Sequence, residues 1–249
     1  MKEWVQVVGD AELARIVVVS PHFDDAVMGA GLLLAAHPGS TVVTVMAGAP
    51  PSYPDPPTEW DSLGGFVAGD DVIALRRAED LAALSVLDAH AVWLEFVDHQ
   101  YDVPSDVAAV AAALRTTLRD LEPTAVFVPF GLANPDHDTV HRAARIVMDE
   151  LTELSWFCYS DAGYMHLPGL LAWRISSMFR GGRWPTPAVV PVSIDLERKR
   201  RALDCYHSQL GPLRADHALD ERLAANVPEQ HWRVSTPPVG WEALAEVPG

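Results

Sequence analysis

The chain has 249 residues, of which 49% are hydrophobic, and its formal net charge is −16. This composition supplies enough apolar side chains for a large core and argues against disorder. The acidic balance disfavours binding to nucleic acid or to an anionic membrane surface, and no apolar run is long enough to span a bilayer.

Strand and helix patterns alternate from residue 15 to about residue 160. Apolar, β-branched runs predict strands at residues 15–20, 41–46, 91–96, 124–129 and 155–160. Runs of helical length predict helices at residues 25–37, 71–87, 105–121 and 136–151, with Ser105 as the N-cap of the third. This alternation is typical of an α/β domain, here a Rossmann-like, mostly parallel sheet with helices on both faces.

Two long stretches rich in proline and glycine interrupt this pattern. Residues 47–70 and 161–187 predict long loops over the carboxyl-terminal edge of the sheet, and connections of that length are usually functional or mobile. Beyond the second stretch we predict an added strand, a helix and a tail of mixed structure, at residues 189–194, 195–210 and from about 212. The whole chain, 1–249, is predicted to be a single domain with its core at about 15–210.

The two cysteines, Cys158 and Cys205, are far apart and neither belongs to a CxxC pair. We therefore predict two buried free thiols rather than a disulfide framework. The amino terminus has no pattern of a signal or transit peptide, which favours a cytoplasmic protein.

The segment SPHFDDAVMGAG places His22, Asp24 and Asp25 where the first strand ends and a helix begins. Buried charge is costly there unless a partner or a metal ion receives it. His22 and Asp25 are three residues apart, so their side chains can converge, and an imidazole with a carboxylate is a suitable ligand pair for Zn²⁺. The alternative is a surface turn in which Asp25 caps the helix and Asp24 complements its dipole.

A third ligand is expected at another strand end on the same edge. His137 follows the fourth strand, in GLANPDHDTVHRA. In a sheet of order 3-2-1-4-5, strands one and four are neighbours whose loops diverge and leave a crevice. We predict that His22, Asp25 and His137 meet there. A dinucleotide is not expected, because Gly29 and Gly31 lie inside the helix, where they permit close packing, and not in the turn.

Four motifs in order resemble the PIG-L, or LmbE-like, family of zinc-dependent N-deacetylases. SPHFDD resembles the family's (A/S)HPDD motif, NPDH its HPDH, RRAED its R-x-x-E helix, and KRRALDCYHSQ its late K-x-x-A…SQ segment. The resemblance covers about residues 15–210. It implies a hydrolase that removes an N-acetyl group from an amino sugar or its conjugate, a small-molecule partner. It also implies that His22, Asp25 and His137 hold zinc and that Asp24 is the general base.

Asn134 stands where the family motif has its first histidine. An amide can hydrogen-bond an oxyanion but cannot deliver a proton. Either Asp24 performs every proton transfer, or another histidine substitutes, or activity is impaired. His141, one turn beyond His137, is the first candidate for a substitute, ahead of His166 and His207. Two other functions stay open: a zinc amidase for a thiol conjugate or natural-product amide, and a metal-dependent binding protein without turnover.

The remaining candidates each have two interpretations. Asp136 either caps its helix or accepts a hydrogen bond from a site residue and orients it. Arg76 either pairs with Glu79 on the helix surface or, as the resemblance suggests, reaches the active site. Trp60, Trp184 and Tyr164 in the long stretches either pack or stack on a sugar. The other histidines are expected to be structural or exposed: His37, His90, His99, His217 and His231. A homo-oligomer is possible.

Overall fold

The computed structural model describes residues 7–217, 228–237 and 240, with the backbone alone for 215–217. Its strands are β1 (Ile16–Ser20), β2 (Thr41–Thr44), β3 (His90–Trp93), β4 (Ala125–Pro129), β5 (Ser155–Tyr159), β6 (Trp184–Ala188) and β7 (His231–Ser235). Its helices are α1 (Asp25–Ala36), α2 (Glu59–Leu63), α3 (Val72–Val86), α4 (Val107–Leu121), α5 (Pro135–Glu150), α6 (Leu170–Arg180), α7 (Leu196–Leu203) and α8 (His207–His217), and His99–Tyr101 form a 3₁₀ turn.

The strands form one sheet of order β3-β2-β1-β4-β5-β7-β6. The first five of these strands are parallel, as predicted, whereas β7 pairs antiparallel with both β5 and β6. Alternate residues of β1 face opposite sides: Val18 belongs to the core that includes Leu33 of α1 on one face, and Val19 belongs to the core that includes Val140 of α5 on the other. Both faces are covered, so the predicted α/β architecture is confirmed.

This topology opens a crevice between β1 and β4. The chain leaves β1 for α1 on one face and leaves the neighbouring β4 for α5 on the other. Because the two connections diverge to opposite faces, side chains from both turns can meet at the sheet edge between the strands.

The carboxyl-terminal part differs from the sequence prediction. The added strand is β6 and not residues 189–194, which follow it without regular structure apart from a bridge between Val189 and Val7. Pro185 and Pro187 gave this segment the composition of a loop. Within the described residues β6 is an edge strand that pairs with β7 alone, and prolines are tolerated in edge strands. β7 lies in the tail for which no pattern was predicted.

Three further predictions from the sequence are corrected by the structure. The helix predicted over 195–210 is two helices, α7 and α8, and the stretches 47–70 and 161–187 contain α2 and α6. Between α7 and α8, the hydroxyl of buried Tyr206 donates to Asp80 at 2.8 Å. This long-range hydrogen bond leaves no pattern in the sequence near Tyr206. Ser105 is not the cap of α4; the side chain of Asp106 accepts from the backbone N–H of Ala109 instead.

Helix α1 is interrupted at Ala30, whose backbone is not helical. The carboxylate of Glu229 accepts from the backbone N–H groups of Leu32 and Leu33 at 2.7 and 3.1 Å, and Lys199 Nζ lies 2.6 Å from the same carboxylate. The second half of the helix thus has its own cap, which explains the bend.

Close packing also requires Gly29, as the sequence predicted. A Cβ atom there would lie 2.5 Å from the ring of Tyr159 and from the carbonyl oxygen of Ser160. Of the two thiols, Cys158 is buried as predicted, whereas Cys205 is only partly buried; neither forms a disulfide. Among the helices of the described residues, none has the length and apolarity that a bilayer crossing requires.

Candidate metal centre and active site

A cavity of about 490 Å³ lies at the carboxyl-terminal edge of the sheet. The turns after β1 and β4 form its floor, and both predicted loop stretches contribute to its walls. Its polar and aromatic lining includes His22, Asp24, Asp25, Thr58, Glu59, Trp60, Arg76, Asp98, His99, Gln100, Asn134, His137 and Tyr164; its apolar lining includes Phe23, Met28, Met46, Leu63, Ile73 and Leu213. Every catalytic or metal-site residue predicted from the sequence lines it except Asp136.

The three predicted ligands converge. The Oδ2 atom of Asp25 lies 3.2 Å from Nδ1 of His22 and 3.1 Å from Nε2 of His137. One potential ligand atom from each side chain lies within 4.8 Å of the other two. Asp25 does not cap α1; the hydroxyl of Ser20 accepts from the backbone N–H of Ala26 at 2.9 Å. The surface-turn alternative therefore fails, and the donors form a compact N₂O set.

A second carboxylate holds the far nitrogen of each imidazole. His22 Nε2 lies 3.0 Å from Oδ2 of Asp136, and His137 Nδ1 lies 2.6 Å from Oδ1 of the fully buried Asp161. Such partners fix the ring orientation and raise the basicity of metal-binding histidines. Asp161 was missed in the sequence, although it directly follows the fifth strand, at the edge where ligands gather.

The electrostatics of this cluster favour positive charge. Burial alone lowers the pKa of His137, but the charge of Asp25 and the hydrogen bonds to Asp161 and Asp25 outweigh it and raise the pKa to about 9. For His22, the effect of burial is likewise outweighed by Asp98, Asp136 and Asp25, so its pKa is also raised. A divalent cation supplies positive charge at the same place, and two imidazoles with one carboxylate suit it. The residues therefore fit a metal ion.

Asp24 lies beside this cluster and is 5% exposed. Burial, together with the negative charge of Asp25, raises its pKa to about 7. A carboxylate poised near neutral pH at the edge of a cavity can both accept and return a proton. This is the property that a general base requires.

Asn134 is the N-cap of α5. Its Oδ1 accepts from the backbone N–H of Asp136 at 2.8 Å, and its Nδ2 lies 3.4 Å from the hydroxyl of Tyr164. Asp136 therefore is not the cap. Its carboxylate instead contacts His22, which agrees with the interpretation that it orients a site residue.

His99 is exposed, as expected, but it also contacts the carboxylates beside the proposed metal site, which the sequence did not indicate. Its Nδ1 lies 2.8 Å from Oδ2 of Asp136, its backbone N–H donates to the same atom at 3.0 Å, and its ring borders the cavity. Hydrogen bonds to Asp136 and Asp98 raise the pKa of His99 to about 9, which favours the protonated imidazole. The sequence signal was its place in VDHQ, just beyond the third strand.

Arg76 belongs to the cavity wall and not to a surface pair with Glu79. It is 3% exposed, and one guanidinium nitrogen lies 2.8 Å from Oδ1 of Asp61 in α2. Glu79 instead accepts from the backbone N–H and hydroxyl of Ser208, at 2.8 and 2.7 Å. Arg76 thus fixes the 47–70 stretch against α3.

The other histidine candidates are not part of this lining. His141 is fully buried, with Nδ1 3.0 Å from the carbonyl oxygen of Pro129, and within the described part of the chain the cavity lining includes neither it nor His166 nor His207. Trp60 and Tyr164 do line the cavity, whereas Trp184 does not. The side chain of His217 lies outside the described residues.

The sequence model of the PIG-L family, described as GlcNAc-PI de-N-acetylase, matches residues 17–148, more than half of the chain. The chain belongs to the PIG-L family. It is therefore an amide hydrolase of the N-deacetylase class, as the four motifs predicted. No curated protein matches it in sequence.

Solved PIG-L-like deacetylases have the same fold. Teicoplanin deacetylase, as a triple mutant and in a zinc-inhibited form, matches with TM-scores of 0.72, identities of 27% and 25%, and coverage of 91% of this chain and 100% of that one. A deacetylase of the A40926 pseudoaglycone matches with a TM-score of 0.71 and 26% identity, over 91% of this chain and 99% of that one. N,N′-diacetylchitobiose deacetylase from Pyrococcus horikoshii matches with a TM-score of 0.58 and 17% identity, over 89% of this chain and 84% of that one. At this identity the match supports the fold alone.

Proposed function

We propose that this PIG-L protein is a zinc-dependent deacetylase that removes an N-acetyl group from an amino sugar or an amino-sugar conjugate. The observation that carries the proposal is the convergence of His22, Asp25 and His137 beside Asp24 at the floor of the cavity. Zinc is proposed because catalytic zinc sites take three such ligands and keep one position open. A relative with a zinc-inhibited form supports a site that responds to this metal.

The chemistry follows from these residues. A bound zinc ion lowers the pKa of water toward about 7 and polarises a carbonyl group. Asp24 takes the proton of the attacking water and then gives it to the departing amine nitrogen, so one carboxylate serves as base and then as acid. Asp136 and Asp161 keep the two imidazoles oriented throughout.

The proposed substrate class rests on the cavity and on the relatives. A volume of about 490 Å³ admits a sugar unit with its acyl group, and the lining combines polar groups such as Asp98 and Gln100 with the aromatic ring of Trp60. The relatives that share about a quarter of the sequence act in teicoplanin biosynthesis or on the A40926 pseudoaglycone. An N-acetylated glycoconjugate agrees with both. A cytoplasmic location and a homo-oligomer stay predictions.

The test measures bound metal and acetate release together. Purified wild type and Asp24→Asn are analysed for zinc and iron, then offered N-acetylglucosamine, its glycosides, an acylated glycopeptide pseudoaglycone and N-acyl thiol conjugates. We expect about one zinc per chain in both proteins, and acetate from an amino-sugar substrate with wild type only, with turnover of the variant lower by roughly 10²–10⁴-fold.

Other outcomes overturn the proposal. Acetate from the thiol conjugates alone would identify the amidase. Bound zinc without acetate from any substrate, with Asp24→Asn indistinguishable from wild type, would identify a binding protein. Iron in place of zinc would correct the metal.

A further inference from the structure

Among the described residues that line the cavity, His99 is the one histidine outside the proposed metal cluster. It lies in the 3₁₀ turn after β3, and this turn is firmly held. The carboxylate of Asp98 accepts from the backbone N–H and the side-chain amide of Gln100, at 3.0 and 2.8 Å. The amide oxygen of Gln100 in turn accepts from the hydroxyl of Thr58 at 2.7 Å. The backbone that carries the His99 ring is therefore held in place by these hydrogen bonds.

The ring itself is fixed at one nitrogen and free at the other. Nδ1 donates to Asp136 at 2.8 Å, and Asp136 is 4% exposed. Nε2 makes no hydrogen bond to any described residue, and 45% of the side chain is exposed. A buried carboxylate on Nδ1 and an open Nε2 is the arrangement that orients a catalytic imidazole.

His99 also lies close to one of the two proposed zinc-binding imidazoles. One potential ligand atom from each of His22, Asp98, His99 and Asp136 lies within 4.8 Å of the others, and the side chains of His22 and His99 both line the cavity. The nearby amide of Asn134 is occupied in capping α5 and in its contact with Tyr164. No other described imidazole offers an unpaired nitrogen to the cavity.

We infer that His99 is a catalytic residue of this enzyme, whose Nε2–H donates a hydrogen bond to the acetyl oxygen as negative charge develops there. The inference rests on the proposed deacetylation. In this inference His99 stabilises the negative charge on the acetyl oxygen and transfers no proton, because Asp24 already takes and returns the one proton that hydrolysis moves. A donor held in place before the reaction lowers the barrier without reorganisation.

The experiment compares full-length wild type, His99→Ala and the control His90→Ala, whose imidazole is exposed at the other end of β3. With an N-acetylated amino sugar that wild type hydrolyses, His99→Ala should lower kcat by about 10²–10³-fold with little change in KM. Zinc content and melting temperature should match wild type. Free imidazole added to His99→Ala should restore part of kcat, which a merely structural role does not explain. His90→Ala should behave as wild type.

Several results would overturn the inference. Turnover of His99→Ala within about twofold of wild type would remove His99 from the reaction. A raised KM with unchanged kcat would make it a substrate-binding residue. Two zinc ions in wild type and one in His99→Ala would make it a metal ligand. If wild type releases no acetate at all, the proposed function fails and this inference fails with it, whereas an active wild type with an unimpaired variant overturns the inference alone.

Discussion

Helix α5 carries two buried histidines one turn apart, and their surroundings are opposite. His137 lies between two carboxylates, with Nε2 3.1 Å from Asp25 and Nδ1 2.6 Å from Asp161. His141 donates from Nδ1 to the carbonyl oxygen of Pro129, and its Nε2 has no partner among the described residues. Their exposed fractions are 2% and 0%, so burial does not separate them.

The neighbouring charges do separate them. The carboxylates raise the pKa of His137 to about 9 in spite of burial. Burial lowers the pKa of His141 to about 4, and the positive charge of Arg174 adds to this effect. The carboxylates around His137 therefore favour a cation there, whereas burial and Arg174 disfavour positive charge at His141. The charged side chains around each ring, and not its position on the helix, decide which histidine is suited to a metal.

The largest expected effect is that of His137→Ala. Two remaining ligands should hold zinc far more weakly than three, so we expect loss of stoichiometric zinc and of acetate release. Metal analysis after dialysis and the acetate assay measure both. His141→Asn is the matched control and should keep its zinc. Zinc retained by His137→Ala would mean that the two histidines have been assigned the wrong way round.

A smaller effect is expected from Asp161→Asn. The amide keeps an oxygen for His137 Nδ1–H but removes the negative charge behind the ring. Zinc affinity should fall by roughly 10–100-fold while the protein stays folded. Competition with a zinc chelator measures the affinity, and an equal affinity in variant and wild type would show that the charge of Asp161 is irrelevant to the metal.

The smallest effect concerns stability and His141. Because the folded state depresses the pKa of His141 from 6.5 to about 4, its neutral form stabilises the fold fully above pH 6.5, and this contribution is lost as pH falls toward 4. At about 1.4 kcal/mol per pKa unit, the total is roughly 3 kcal/mol. Asn cannot titrate, so the stability advantage of wild type over His141→Asn should shrink between pH 6.5 and 4.

Urea unfolding of both proteins at several pH values, with chelator present, measures this difference. Buried Asp80 and His231 titrate in the same range, but both remain in the variant and cancel in the comparison. A difference in unfolding free energy that stays constant with pH would contradict the assignment to His141.

Local patterns were sufficient for the parallel part of the sheet and for the convergence of the three proposed metal ligands. Continuous apolar, β-branched runs located β1 to β5, and stretches of helical length located α1, α3, α4 and α5, because these residue types stand next to one another along the chain. His22 and Asp25 share one turn, and His137 begins α5 beside them once strands one and four are taken as neighbours. These predictions needed only spacing and one topological rule.

Local patterns failed where a partner comes from a distant part of the chain. Pro185 and Pro187 hid an edge strand whose partner β7 follows some 45 residues later. His99 looked like an isolated surface residue because its carboxylate, Asp136, lies 37 residues away. Neither contact leaves a periodic signal near either residue.

The sequence by itself determined the fold class, the family and the chemistry of the donor groups, since side-chain type and short-range spacing are local properties. Only the tertiary structure decided which imidazole lies among carboxylates and which lies beside a guanidinium, because electrostatic energy depends on distances across the fold and not along the chain. His137 and His141 have the same side chain, lie on the same helix and are both buried, and those distances separate them.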